Sequence, residues 1–119
     1  MSKHSVPKRG EVWDVNFDPA QDAEIGKRRP AVVISEDALG RLPLRIVVPI
    51  IDWKPAYANY QWFVHLAPST ANGLSKESGA DAFQVKSISE RRFVKRRGVL
   101  AAVDLDDIAA AIAICVGVP

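Results

Sequence analysis

The segment Gly26-Lys27-Arg28-Arg29-Pro30 puts three cations in three residues and ends on a proline. A residue before proline is held extended, so the side chain of Arg29 starts from a defined point. A guanidinium is a planar fork that matches two phosphate oxygens at once. An arginine placed this way at a strand mouth can hold a scissile phosphate. It can equally be a surface arginine paired with Glu24 or Asp22, and the residues alone leave both readings open. A second basic run lies between Gln84 and Gly98. Lys86, Arg91, Arg92, Lys95, Arg96 and Arg97 stand there against one acid, Glu90, a balance of +5. The whole chain carries only +2, because acids such as Asp104, Asp106 and Asp107 lie elsewhere. Segregated positive charge suits a polyanionic partner, and a solvated basic face is the plain alternative. Between Asp52 and Gln61 the chain carries Trp53, Tyr57 and Tyr60. Such rings can stack on nucleobases at about 1–3 kcal/mol per base, or fold inward as core.

The rest of the composition narrows the setting. The chain has 119 residues, with 48% hydrophobic and 25% charged, which is ordinary for one globular domain spanning 1–119 and argues against disorder. A chain of this length buries roughly two-thirds of its unfolded surface, enough for one core and one groove. Its apolar runs are too short for a membrane span. Its first residues lack the apolar region of a secretory signal. The single cysteine, Cys115, makes no internal disulfide, which points to a reduced, cytoplasmic setting. With one cysteine and two distant histidines, His4 and His65, no Cys/His zinc site is expected.

The elements that must position these residues are mostly short strands. Trp13, Val15 and Phe17 alternate with Val12, Asp14 and Asn16, the pattern of a strand with two faces, and Asp18-Pro19 breaks it. Ala31 to Ile34 reads as a central strand. Arg45 to Ile51 reads as another, with Pro49 marking an edge or a bulge. Trp62 to Leu66, Ala80 to Val85 and Gly98 to Val103 bring the count to about six. Ser87 to Phe93 suggests a short helix capped by Ser87 or Ser89. A final helix is expected with Asp104 as its N-cap and Leu105, Ile108, Ile112 and Cys115 on one face, ending at Gly117. Cys115 reads as a core residue. The ten residues from Asp18 to Lys27 form a long loop, and long loops in small domains usually carry function.

The chain resembles the MazF/PemK/Kid toxins of bacterial toxin–antitoxin systems. The resemblance rests on Arg9-Gly10-Glu11-Val12-Trp13, Phe17-Asp18-Pro19, Gly26 to Ser35, Val47-Val48-Pro49-Ile50 and Gln84-Val85-Lys86-Ser87-Ile88, in that order. It implies a mainly β fold, a small SH3-like barrel with a C-terminal helix, assembled as a homodimer. It implies a metal-independent endoribonuclease, with no cofactor, that cuts single-stranded RNA through attack by the ribose 2′-hydroxyl. It also implies a cognate acidic antitoxin lying in the RNA groove, with DNA met only through the antitoxin complex. Carried onto this sequence, Arg29 falls on the catalytic arginine and Glu24 on an acidic loop position tied to activity. Lys27, Arg28, Trp53, Gln84 and Lys86 would line the RNA groove.

The chain departs from that pattern twice. Ile51 stands where the family usually has a threonine beside the arginine, and isoleucine has no hydroxyl to donate. Phe83 stands where many members have an acid. The implied outcomes are a site completed by Ser35, Ser87 or Asp52, or a module that binds RNA or antitoxin without cutting. For a second copy, Val12, Trp13 and the alanine-rich helix are the expected apolar surface.

Overall fold

The computed structural model describes residues 6–39 and 42–119, so residues 1–5, with His4, lie outside the described residues, as do 40–41. Among the described residues seven strands and one α-helix form: β1 (Glu11–Asn16), β2 (Arg28–Val33), β3 (Leu44–Asp52), β4 (Phe63–Leu66), β5 (Ser78–Asp81), β6 (Lys86–Ser89), β7 (Phe93–Val99) and α1 (Ala102–Cys115). Every pairing is antiparallel. The sheet runs β4-β5-β3-β2-β1-β7, with β6 also on β3. The expected mainly β fold with a C-terminal helix therefore forms, from seven strands rather than about six, and the ends of the path, β4 and β7, do not pair.

β3 holds the sheet together by changing partner along its length. Leu44 to Val47 pair with β6, and Ile50 to Asp52 pair with β5. Pro49 falls in the gap between the two partners. A residue without an N–H costs no ladder bond there, which explains how proline sits inside a central strand.

Both faces of the sheet are covered. Val12, Val32, Val48 and Ile50 face one core with Leu66, Leu100 and Ile108. Trp13, Val15, Ala31, Val33 and Val47 face a second core with Phe17, Ile88 and Phe93. The period-two alternation of β1 is real, but Val12 on one face is as buried as Trp13 on the other. Neither residue offers surface to a second copy, which corrects that expectation. In the second core the Trp13 and Phe93 rings meet edge to face at 5.8 Å, a favoured aromatic geometry.

α1 starts three residues earlier than expected. Ala101 is its N-cap and supplies no side-chain cap, while Asp104 lies in the first turn, where the helix dipole favours an anion. Ile108 and Ala111 are buried, and Leu105 and Ile112 pack against the first core. Gly117 follows the helix at φ +75°, a left-handed stop that suits glycine. Cys115 is only partly buried. The helix expected over Ser87 to Phe93 is instead β6, one 3₁₀ turn over Glu90–Arg92, and the start of β7. The cap signal there is genuine, since Ser89 Oγ accepts from Arg91 N, but it serves only that turn. Pairing of Arg45 with Ile88 and Ile46 with Ser87 overrides local helical preference. The strand expected over Gly98 to Val103 lies earlier, at β7, and Ala80 to Val85 is the end of β5 followed by a 3₁₀ turn over Ala82–Gln84. Among the described residues no helix is long and apolar enough to cross a membrane.

Candidate functional site

The loop from Asp18 to Lys27 delivers the basic segment, and it is closed at its base. Phe17 N donates to Lys27 O at 2.8 Å, and Lys27 N donates to Asp18 Oδ1 at 2.7 Å. Lys27 is exposed and turns the chain at φ +66°, an uncommon conformation for a non-glycine residue. Arg28 and Arg29 then begin β2. Arg29 is half-buried, and its Nε donates to Gly26 O at 3.2 Å. That bond fixes the guanidinium at one edge. Among the described residues Arg29 makes no ion pair, so neither Glu24 nor Asp22 holds it.

Two openings meet at Arg29. One, of about 320 Å³, is lined by Arg28, Arg29, Ile51, Asp52, Ser75 and Arg97 among others. The other, of about 250 Å³, includes Ile25, Arg29, Ile51, Asp52, Lys54 and Tyr57. Arg29, Ile51 and Asp52 belong to both. The pairing of Ala31 with Pro49 puts Arg29 and Ile51 two residues further along the same two strands. Asp52 is ion-paired with Lys76 at 3.0 Å.

Arg97 and Ser75 are the residues sequence reasoning missed. The turn from Ala67 to Leu74 is built around buried Asn72, whose side chain accepts from Ser69 N and Leu74 N and donates to Ala67 O. It presents the Gly73 carbonyl to Arg97, which donates to it from Nε at 3.0 Å and Nη2 at 2.8 Å, while Nη1 reaches Asp14 at 3.1 Å. A guanidinium has five N–H groups, so two remain unspent. Glycines at 73 and 98 were the available signal, because glycine beside a strand marks close backbone approach. Ser35 and Ser87 do not line either opening. Ser35 Oγ accepts from Ile46 N, and Ser87 pairs with Ile46 on β6.

The other predicted residues gather elsewhere. Glu24, Gln84 and Lys86 line a third opening of about 380 Å³ with Phe83, apart from Arg29. Glu24 accepts from Gln21 N within its own loop. Both ends of the Gln84 amide are engaged, the oxygen by Ile25 N at 2.8 Å and the nitrogen with Ala23 O at 2.9 Å, so this side chain clamps the loop. Lys86 Nζ lies 6.0 Å over the Phe17 ring, within cation–π range. Trp53 stacks on His65 at 4.1 Å and belongs to none of these three openings.

Charge is tuned at three groups outside these openings. Burial pushes the Asp81 carboxyl up despite the N–H groups of Phe83 and Gln84. Burial also acts on Glu11, but hydrogen bonds from Arg96, Lys8 and Trp13 outweigh it and leave its carboxyl lowered. The Cys115 thiol is raised by burial and then by the charge of Asp81. Among the described residues, no group of three His, Cys, Asp or Glu is placed to hold a metal ion.

The chain as a whole has counterparts among known proteins. "Endoribonuclease MazF9" of Mycobacterium tuberculosis is 33% identical over 101 residues, covering 82% of this chain and 86% of its own. "Probable endoribonuclease MazF5" of the same organism is 34% identical over 113 residues, covering 94% of each. The crystal structure of MazF from Deinococcus radiodurans superposes with a TM-score of 0.80 at 26% identity, over 95% of this chain and 98% of that one. The pattern of the PemK-like, MazF-like toxins of type II toxin–antitoxin systems matches residues 8–116, and with nearly the whole chain accounted for, it belongs to that family.

Proposed function

We propose that this toxin is an endoribonuclease that cuts single-stranded RNA at a phosphate held by Arg29. The observation that carries the reading is the Arg29 guanidinium, anchored through Nε to Gly26 O and shared by two openings that also take in Ile51 and Asp52. A polymer can pass from one opening to the other across it. The ribose 2′-oxygen forms a bond to phosphorus, and the bond from phosphorus to the 5′-oxygen breaks. The leaving 5′-oxygen takes a proton from solvent, so the products are a 2′,3′-cyclic phosphate and a 5′-hydroxyl. Charge builds on the phosphoryl oxygens on the way, where a fixed guanidinium stabilises it most. Asp52, in both openings, is the carboxylate best placed to take the 2′-hydroxyl proton. Glu24 supports the site through the loop that leads into Arg28 and Arg29, where it accepts from Gln21 N. Lys27, Arg28 and Lys86 bind phosphates and Trp53 meets the strand beyond, while Gln84 works by holding the loop.

Incubation of the pure protein with a long RNA in EDTA tests this. Discrete fragments are expected, and Arg29→Ala should reduce them by at least about a hundredfold, the usual cost of one such donor. Arg29→Lys should fail as well, since a point charge does not reproduce the fork. Cutting at the wild-type rate by either variant would remove Arg29 from the site.

Ile51 favours a second reading. An apolar side chain in both openings fits a module that binds RNA or antitoxin without cutting. A salt-sensitive gel shift with no fragments would decide for it.

The partner of a type II toxin is its antitoxin, here an acidic and partly disordered one that folds against Lys27, Arg28 and the basic run after Gln84. The chain works as a homodimer in the cytoplasm, and exposed Val103, Ile114 and Val116 along α1 and its end supply apolar surface for a two-fold contact. Only monomer in sedimentation at tens of micromolar, where specific interfaces are normally formed, would reject it.

A further inference from the structure

Phe83, at the position where the resemblance implies an acid in many members, is 66% exposed. The local structure holds the ring there. Phe83 N donates to Asp81 Oδ1 at 3.2 Å, Ala82 N donates to Trp62 O at 2.9 Å, and Val85 N closes the 3₁₀ turn on Ala82 O. The next residue, Gln84, is clamped to the β1–β2 loop. The ring is therefore displayed on a rigid turn.

Its neighbours are aromatic. Trp62 lies 6.0 Å from Phe83, with the planes 63° apart. Tyr60 stacks on Trp62 at 4.8 Å, and Tyr57 stacks on Phe63 at 4.0 Å and 3°. Phe63 adjoins Trp62 at 6.4 Å. An unbroken line of rings thus runs from Tyr57, beside Arg29, to Phe83, beside Lys86. Two walls inclined to one another receive a flat ring, which stacks on one and meets the edge of the other. A cation in the same opening as an exposed ring matches a nucleotide, an anion joined to a flat base.

We propose that Phe83 and Trp62 form a nucleobase-stacking subsite, which takes one unpaired base of single-stranded RNA while Lys86 meets its phosphate. The proposal rests on the reading that this chain binds RNA, and it adds the place where a base outside the cut is held. Every base has a π face, so this subsite positions the strand without fixing its sequence.

The test uses 2′-O-methyl oligonucleotides, which lack the 2′-hydroxyl and cannot be cut, with binding read by anisotropy and by quenching of tryptophan fluorescence. Phe83→Ala should weaken binding about tenfold and melt at the wild-type temperature. Phe83→Trp should bind like wild type, whereas Phe83→Leu should lose nearly as much as alanine. An abasic site moved along the oligonucleotide should weaken wild type at one position and leave Phe83→Ala unaffected there, the signature of two partners in contact. Wild-type binding by Phe83→Ala or by Phe83→Leu would overturn the proposal. So would loss of binding to an acidic polypeptide with oligonucleotide binding intact, which would assign the rings to a protein partner. Failure of cleavage reads out separately. If ordinary RNA is not cut but oligonucleotide binding depends on Phe83, the cleavage reading falls and this one stands.

Discussion

Arg97 and Gly73 fix each other across 24 residues, the guanidinium meeting the Gly73 carbonyl through two nitrogens at 3.0 and 2.8 Å. The contact requires two backbones to touch. A Cβ added at Gly73 would lie 2.2 Å from the Arg97 carbonyl oxygen, and one added at Gly98 would lie 2.2 Å from that of Ala71. Gly98→Ala is therefore expected to destabilise by more than about 2 kcal/mol, the range of backbone strain in a packed site. Gly117→Ala, with φ +75° but nothing within 4 Å, should cost only about 1 kcal/mol. Urea melts of the two variants check the difference, and equal losses would contradict it.

Gln84→Ala removes two hydrogen bonds that join the 3₁₀ turn to the loop 59 and 61 residues away. Each is worth about 1 kcal/mol net. The expected result is a loss of about 1–2 kcal/mol together with faster protease cleavage within residues 18–27. Unchanged protease sensitivity there would mean that the closure at Asp18 and Lys27 holds the loop unaided.

Ile51→Thr places a hydroxyl beside Arg29 without changing the branching that suits a strand. If cleavage lacks only that donor, the rate should rise by ten- to a hundredfold, the order set by one transition-state hydrogen bond. Ser75→Ala in the wild-type background should lower the rate if Ser75, in the same opening, already serves as the donor. A rise in the first variant with no effect of the second assigns the missing group to Ile51. The converse assigns the role to Ser75.

Asp81 is buried, and its carboxyl is raised above the usual 3.8 by burial. A raised pKa means that the folded state binds the proton more tightly than the unfolded chain. Stability from the neutral acid is then complete below about pH 3.8 and is lost as pH climbs through the folded value. Asp81→Asn keeps an oxygen to accept from Phe83 N and has no charge to bury. It should melt higher than wild type at pH 7, with the advantage gone below pH 3.8. A variant that melts lower at pH 7 would show that the charge itself is useful, for instance to the Phe83 turn.

The parts of this fold that could be read from sequence are those whose causes are local. The alternation of Trp13, Val15 and Phe17, the apolar run after Pro30 and the spacing of Leu105, Ile108 and Ile112 each report their own element. Pro49 was legible as an irregularity, though its position at the partner change of β3 needs the pairing of three strands. Ser87 to Phe93 misled because a genuine cap at Ser89 sits inside a segment whose fate is decided by β3. Arg29 could be singled out from its own neighbours. Arg97 could not, because what fixes it is a carbonyl presented by a turn organised around Asn72. Gln84 entered through the resemblance alone, and its hydrogen bonds to the β1–β2 loop could not be read from its own neighbours.

The position of Arg29 between two openings also bears on turnover. If Arg29 holds the scissile phosphate, a strand severed there leaves two pieces, each in its own opening. Neither has to pass the arginine or wait for the other to leave. The loop can then stay clamped by Gln84 from one cut to the next.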